Sequence, residues 1–290
     1  GGYFTANNSL EIDSLTGEID VSESMVGDYT VSYSFVDAGN FRQLGSTIDG
    51  ENSGDNFGQS VAISANGLVF AASANKNGDS FSTAGKIRVY SWQDSVWSQL
   101  GNDILGENSG DEFGYSISMN ADGTRMVASS ILNDDAFNNA GLVKVFEWNG
   151  ANWIQMGTNI YGDNAGDELG YKVEMSEDGN RIAVSSINYQ NRRGLVKVIE
   201  WNGSNWIIVG NIITGEHNNE RNGSSISFNT SGSRLIVGSP YYTLNNLLFG
   251  RARVFNYDGN NWMQIGSDII GNNSNDYLGS KQKNYGIFIN

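Results

Sequence analysis

The sequence repeats a single unit, and that repetition limits its fold more than any other feature. Phe41, Trp97, Trp153, Trp206 and Trp262 each open a near-copy of one pattern, at separations of 56, 56, 53 and 56 residues. Each copy reads aromatic-x-Gln-hydrophobic-Gly, then Gly-acidic-Asn, then Phe/Leu-Gly, then a hairpin, then a Gly-led apolar run. A period of this length belongs to units that each lack a sufficient core and bury one by leaning on their neighbours. A tryptophan that returns at every period is therefore first a packing position.

One period reads as four strands. Phe113-Gly114-Tyr115-Ser116-Ile117-Ser118-Met119 alternates apolar and polar residues, as a half-buried strand does. Asn120-Ala121-Asp122-Gly123 supplies a tight turn, and Arg125-Met126-Val127-Ala128-Ser129 returns as a second strand. After an Asn/Asp-rich loop, Gly141 leads the third strand, Leu142 to Trp148. Asn149-Gly150 turns into the fourth, Trp153 to Gly157. Four antiparallel strands per period make a propeller blade. Ile87, Val143, Val196 and Ala252 form one matched apolar column, and Val89, Val145, Val198 and Val254 another, as sheet-on-sheet packing requires. Between them runs a basic column, Arg88, Lys144, Lys197 and Arg253. Pairing with acidic neighbours is the first expectation for it, and an anion-binding ring the second.

The ends complete the pattern. In register with the later copies, Tyr29 to Phe35 falls on a third strand and Phe41 to Ile48 on a fourth, while Tyr285 to Ile289 has the content of an inner strand. The expected fold is all-β: a five-bladed β-propeller of four-stranded blades, its ring closed by N- and C-terminal strands, which removes open edges. Residues 1–40 form an N-terminal β segment and 41–290 the propeller repeats. The sequence holds one proline, Pro240, and shows no helical periodicity.

Composition bounds the function. The 290 residues carry a formal charge of −15, which argues against nucleic acid and anionic membranes as partners. No apolar run approaches the ~18 residues of a membrane helix. The absence of cysteine removes disulfides, thiol nucleophiles and thiolate metal sites. His217 is the only histidine, so His-based triads and multi-histidine metal sites are excluded. Asn-x-Ser/Thr sequons stand at Asn7, Asn202, Asn222, Asn229 and Asn272 and bear weakly on secretion in a chain this rich in Asn and Ser.

Phe57-Gly58-Gln59-Ser60, Phe113-Gly114-Tyr115-Ser116, Val237-Gly238-Ser239-Pro240 and the run Gly85 to Tyr90 together resemble FG-GAP repeats, the blades of integrin-α-type propellers. The resemblance covers residues 41–280 and fades at Leu169-Gly170-Tyr171-Lys172 and Asn222-Gly223-Ser224-Ser225. Residues 8–31 resemble the closing strands of immunoglobulin-like and cadherin-like modules. FG-GAP blades often hold calcium between their first two strands, but here those turns have at most two carboxylates, short of the roughly six to eight oxygen ligands calcium takes. No cofactor is expected on that basis.

Three candidate sites remain. Asp55, Asp111, Asp167 and Asp276 sit in the acidic loops. Their first expected role is to bond their own backbone, and the alternative is to hold a divalent cation such as Ca²⁺. The aromatics Trp92, Trp97, Trp148, Trp153, Trp201, Trp206 and Trp262 flank turns on the outer strands. Blade packing is expected of them, with stacking on sugar rings as the sharper alternative. A carboxylate pair could serve a glycosidase, yet the acids recur by blade where an active site is asymmetric. The sequence is thus read as a non-enzymatic propeller at a cell or virion surface, adhesive or structural, in a filament or surface layer. Its expected partners are other subunits, in a homopolymer, or surface glycans, and a multivalent lectin is the alternative.

Overall fold

The computed structural model describes residues 43–280 and, before them, the strands Gly2–Ala6, Glu11–Ile12, Ile19–Asp20 and Val31–Phe35. The chain divides into two units, Gly1–Ser46 and Thr47–Asn290. In the first, Gly2–Ala6 pairs antiparallel with Val31–Phe35, and Glu11–Ile12 with Ile19–Asp20.

The second unit is a β-propeller, built among the described residues from four antiparallel sheets in chain order. Each sheet runs inner strand, second, third, outer. The first comprises Phe57–Ile63, Val69–Ala74, Lys86–Gln93 and Val96–Gln99, and the second Ile117–Met119, Arg125–Ser130, Leu142–Trp148 and Trp153–Gln155. The third comprises Lys172–Met175, Arg181–Ser186, Leu195–Trp201 and Trp206–Ile208, and the fourth Ser225–Phe228, Arg234–Ser239, Arg251–Tyr257 and Trp262–Ile270. The alternation and turn residues predict these four strands per sheet; in the first three sheets a short further strand, Ile104–Leu105, Ile160–Tyr161 or Ile213–Thr214, also pairs with the third, and Thr243–Leu244 pairs with Leu247–Leu248 as a separate hairpin. Residues Tyr189–Arg192, a single helical turn by hydrogen bonding, carry left-handed φ at Gln190 and Asn191 and act as a loop. The ring closure expected of Tyr285 to Ile289 lies outside the described residues; of the strand expected over Phe41 to Ile48, residues 43–48 are described and form no strand.

The core forms between sheets. One apolar cluster joins Val127, Val143 and Val145 of the second sheet to Val173, Met175, Ile182 and Val184 of the third. Equivalent clusters join the first sheet to the second and the third to the fourth. The second and third sheets bury both faces on their neighbours, and the matched valine columns are among the contact surfaces.

Inner strands of consecutive sheets lie side by side, stitched by hydroxyls. The Ile117 N–H donates to the Ser60 hydroxyl (3.1 Å), Val173 N–H to Ser116 (3.2 Å) and Met175 N–H to Ser118 (3.0 Å). These bonds account for the serine of the Phe-Gly-x-Ser step: it satisfies a backbone donor of the next sheet, in a place where an unpaired group would be costly.

The glycine leading each third strand is required by close approach. Gly141 has φ +86°, and a Cβ there would lie 2.3 Å from the Leu169 carbonyl oxygen. Gly141→Ala is expected to cost about 3 kcal/mol, combining left-handed strain with a backbone collision. Gly150, at φ +95° with open space around it, isolates the conformational part. Gly150→Ala should cost about 1 kcal/mol. Urea midpoints of the two variants check the difference.

Candidate active site

The inner strands and their hairpins surround a cavity of about 480 Å³ at one end of the shared axis. All four described sheets contribute to it. Ile117, Met119, Met175 and Phe228 supply apolar walls, and Glu174 and Glu177 are its ionisable groups.

Glu174 is the residue that breaks the repeat. At its position in the other inner strands stand Ala62, Ser118 and Ser227, and two residues earlier Lys172 replaces Ser60, Ser116 and Ser225. Strand alternation puts Lys172 and Glu174 on one face of their strand. Met175, next along, is fixed by its N–H bond to Ser118, so the backbone carrying Glu174 is held at both sides. Burial among the packed inner strands pushes the Glu174 carboxyl up to about 7, against a smaller downward pull from Lys172. A carboxyl near neutrality exchanges protons readily at physiological pH, which is the requirement for a general base.

Toward the opposite ends of the inner strands, Tyr115 and Tyr171 approach with ring centroids 5.9 Å apart. Burial raises both phenols, Tyr115 to about 12, so they act there as neutral hydrogen-bonding groups.

The structure keeps Asp55, Asp111, Asp167 and Asp276 in four separate loops. Asp55 accepts from the side-chain amides of Asn52 (3.2 Å) and Asn77 (2.7 Å), and Asp111 from those of Asn108 (3.2 Å) and Asn133 (2.7 Å). Asp167 accepts from the Asn164 N–H and side chain, and Asp276 from the Asn273 N–H. Burial raises the Asp111 and Asp167 carboxyls in spite of these bonds.

A different acidic group gathers at the first sheet. Glu51, Asp79 and Asp103 bring carboxylate oxygens within 4.8 Å of one another. The buried Lys86 ammonium sits among them, paired with Glu51 (2.5 Å), with Asp79, and with Asp103 at 3.5 Å, while Arg88 pairs with Glu51 and Asp103. Hydrogen bonds from Lys86 hold Glu51 and Asp79 below the usual carboxylate range. The basic column is consumed in such pairs: Lys144 with Glu107, Lys197 with Asp163, Arg253 with Glu216.

The tryptophans also find protein partners. Trp153, Trp206 and Trp262 are buried and donate their indole N–H to the carbonyls of Leu100 (3.1 Å), Met156 (2.9 Å) and Val209 (3.1 Å) in the preceding sheet. Trp148 and Trp201 pack against Trp153 and Trp206 in tilted contacts with ring centroids 5.7 and 5.4 Å apart, and Trp92 and Trp97 meet at 5.1 Å. The motif's glycine makes room for this: a Cβ on Gly157 would lie 2.9 Å from both Trp201 and Trp206. Trp206→Ala is expected to cost about 3–5 kcal/mol by thermal unfolding, and Trp206→Phe about 1–2, the latter reading the lost N–H bond.

No family model and no curated protein matches the chain. Solved structures do. One is described as a candidate 6-phosphogluconolactonase of Bacteroides uniformis (12% identity, TM-score 0.52, 94% of this chain and 84% of that one). A second is described as a candidate 6-phosphogluconolactonase of Bacteroides fragilis (13%, 0.50, 74% and 55%). The third is the Pseudomonas aeruginosa periplasmic gluconolactonase (13%, 0.47, 71% and 56%). The chain thus spans just over half the length of the last two. At these identities the likeness is one of fold.

These neighbours correct the sequence reading. The two neighbours with TM-scores of 0.50 and 0.52 are both described as lactonases, and neither is an integrin-type propeller or a cadherin-type module. The FG-GAP resemblance, the adhesive, structural or filament role, the lectin alternative and the exclusion of enzymatic activity are overturned together. Physically, the Phe-Gly-x-Ser step that suggested FG-GAP repeats serves backbone satisfaction between adjoining inner strands, and any tightly packed ring of sheets needs that. Among the described residues, no helix is long and apolar enough to cross a membrane.

Proposed function

We propose that the protein is a hydrolase that opens a cyclic ester in the axial cavity, with Glu174 as general base. One observation carries this reading: the carboxyl that departs from the repeat is the one held near neutrality, and it lines the cavity where the inner strands converge. The lactonase descriptions of proteins sharing the fold supply the substrate class. In the proposed reaction Glu174 takes a proton from water as the water oxygen bonds to the ester carbonyl carbon. The carbon–ring-oxygen bond then breaks, and the proton passes from Glu174 to the departing alkoxide.

A divalent cation has no step in this reaction. Calcium at Glu51, Asp79 and Asp103 would have to displace the Lys86 ammonium. A location outside the cell or on a surface is part of the proposal; of the described sequons Asn202 and Asn272 are exposed, so either would be open to glycosylation there, whereas Asn222 is fully buried.

Glucono-δ-lactone and dihydrocoumarin, followed by acid release against a protein-free blank, test the reaction. Hydrolysis above the blank is expected, with a rate that rises through pH 7 as Glu174 ionises. A rate equal to the blank for both substrates would remove the reading.

A further inference from the structure

Resting on that proposed reaction, we infer that Lys172 is a positioning residue for Glu174, its ammonium compensating the carboxylate charge on a shared strand face and so keeping the base usable. Among the described residues, the four inner strands carry two charged side chains, and these are Lys172 and Glu174. They have opposite sign, lie on one strand and share one face of it. Two strand residues span roughly 7 Å, a separation at which half-buried charges still act on each other appreciably. Glu174 lines the cavity and Lys172 does not, so Lys172 bears on the reaction through the carboxylate.

The exchange gives up a structural bond, which packing alone does not explain. At the position of Lys172, Ser60 and Ser116 accept an N–H of the following inner strand. An ammonium has no lone pair and cannot accept that bond. The strand is held firmly even so. The Lys172 N–H donates to the Ser185 hydroxyl (3.0 Å), and the ladder sets Lys172 opposite Ser185 and Glu174 opposite Ala183. Those facing side chains are small, buried and uncharged, so neither offers a counter-charge. The neighbouring inner strands, Ile117–Met119 and Ser225–Phe228, bring no charge. Arg125 and Arg181, at the starts of second strands, are paired with Glu147 and Glu200. In the hairpins the charged groups are the acids Asp122, Glu177 and Asp178. Lys172 is thereby the cation that acts on Glu174, opposing the effect of burial. Without it, burial would act alone and keep the carboxyl protonated through neutral pH.

The test uses two measurements on the full chain. Carboxyl-carbon NMR with labelled glutamate, assigned by the resonance missing in Glu174→Gln, follows ionisation of Glu174 without any substrate. Lys172→Ser restores the residue that Ser60, Ser116 and Ser225 supply in the other sheets, and Lys172→Met keeps the side-chain length. Both remove the charge, whereas Lys172→Arg retains it. The ionisation midpoint is expected to rise by about one pH unit in the serine and methionine variants and to stay in place in the arginine variant. Dihydrocoumarin hydrolysis, with the protein-free blank subtracted, should follow the same change. A base that ionises one unit later is about tenfold slower at pH 6 and within about twofold of the parent at pH 8.5. A merely structural role would lower the rate by one factor at both pH values and leave the NMR midpoint unmoved. An unmoved midpoint in both charge-removing variants, or a shift in Lys172→Arg as large as in Lys172→Met, overturns the inference. A midpoint that moves in a protein without lactone turnover defeats the hydrolase reading and leaves the Lys172–Glu174 pair standing. Hydrolysis with a pH profile indifferent to Lys172 does the reverse.

Discussion

Glu174→Gln is expected to lower lactone hydrolysis by about 100-fold or more and, in the same protein, to raise stability at pH 8. The first effect follows from the loss of proton transfer, since a positioned general base contributes about 10²–10⁴-fold and glutamine cannot accept the proton. The second follows from linkage. The carboxyl is raised from 4.5 to about 7 in the folded state, so folding disfavours its ionisation. Its destabilising contribution is nil below about pH 4.5, grows as pH climbs to 7 and is constant above. Full expression would be about 3 kcal/mol; water reaching this partly buried group reduces it to about 1–2. A neutral isostere removes the penalty, so the variant should match the parent in urea midpoint at pH 4.5 and exceed it at pH 8. A buried carboxylate with only a packing role would show the pH-dependent gain without the rate loss, so the loss of turnover is the discriminating result. The pairing of lost activity with gained stability is the signature of a residue held strained for function.

That residue was hidden by the feature that made the fold readable. Alternation in Phe113 to Met119, the Asn-Ala-Asp-Gly turn and the Gly141-led run specify a four-stranded sheet from local chemistry alone; the four strands form, the first only over Ile117–Met119, and Ile160–Tyr161 adds a fifth against the third. Attention to what recurs then brought forward Asp55, Asp111 and Asp167, whose bonds stay within their own loops or reach a neighbouring asparagine. The informative position lay where the copy fails, at Lys172 and Glu174. There the sequence showed only a weakening of the motif, and its meaning depends on the four inner strands meeting around one cavity. The partners of the tryptophans were hidden for a related reason. Each indole binds a carbonyl roughly one period back, 50 residues from Met156 to Trp206, and no local pattern reports a contact between sheets. Asp79, which completes the group around Lys86, sits in the variable loop that the repeat leaves undefined.

Glu220→Ala is expected to be the most destabilising single change in the charged loops, at about 3–5 kcal/mol. Glu220 stands where the other loops have aspartate, and it is fully buried. One carboxylate oxygen accepts the N–H groups of Glu216 (2.7 Å) and His217 (3.1 Å), and the other pairs with the Arg251 guanidinium, itself buried. Arg251 also pairs with Asp268 (2.7 Å) and Glu216 (3.0 Å) and lies 4.1 Å above the Tyr242 ring. Burial alone would pull its pKa down, but the bonds from Asp268 and the charge of Glu220 outweigh this and raise it, so the charge persists when Glu220 is removed. Alanine would then strand a buried cation with too few acceptors, beside a second one, Arg253, whose Nε already has none. The third strands explain why this loop carries the longer acid: Lys86, Leu142 and Leu195 give way to Arg251 at this position, and glutamate reaches the guanidinium where aspartate would not. Glu107→Ala supplies the contrast. Glu107 is 64% exposed and pairs with Lys144 at 2.6 Å, an arrangement worth at most about 1 kcal/mol because its acid remains in water. Chemical denaturation of both variants checks the ordering, and equal losses would mean that the Arg251 group is no more buried in energetic terms than a surface pair.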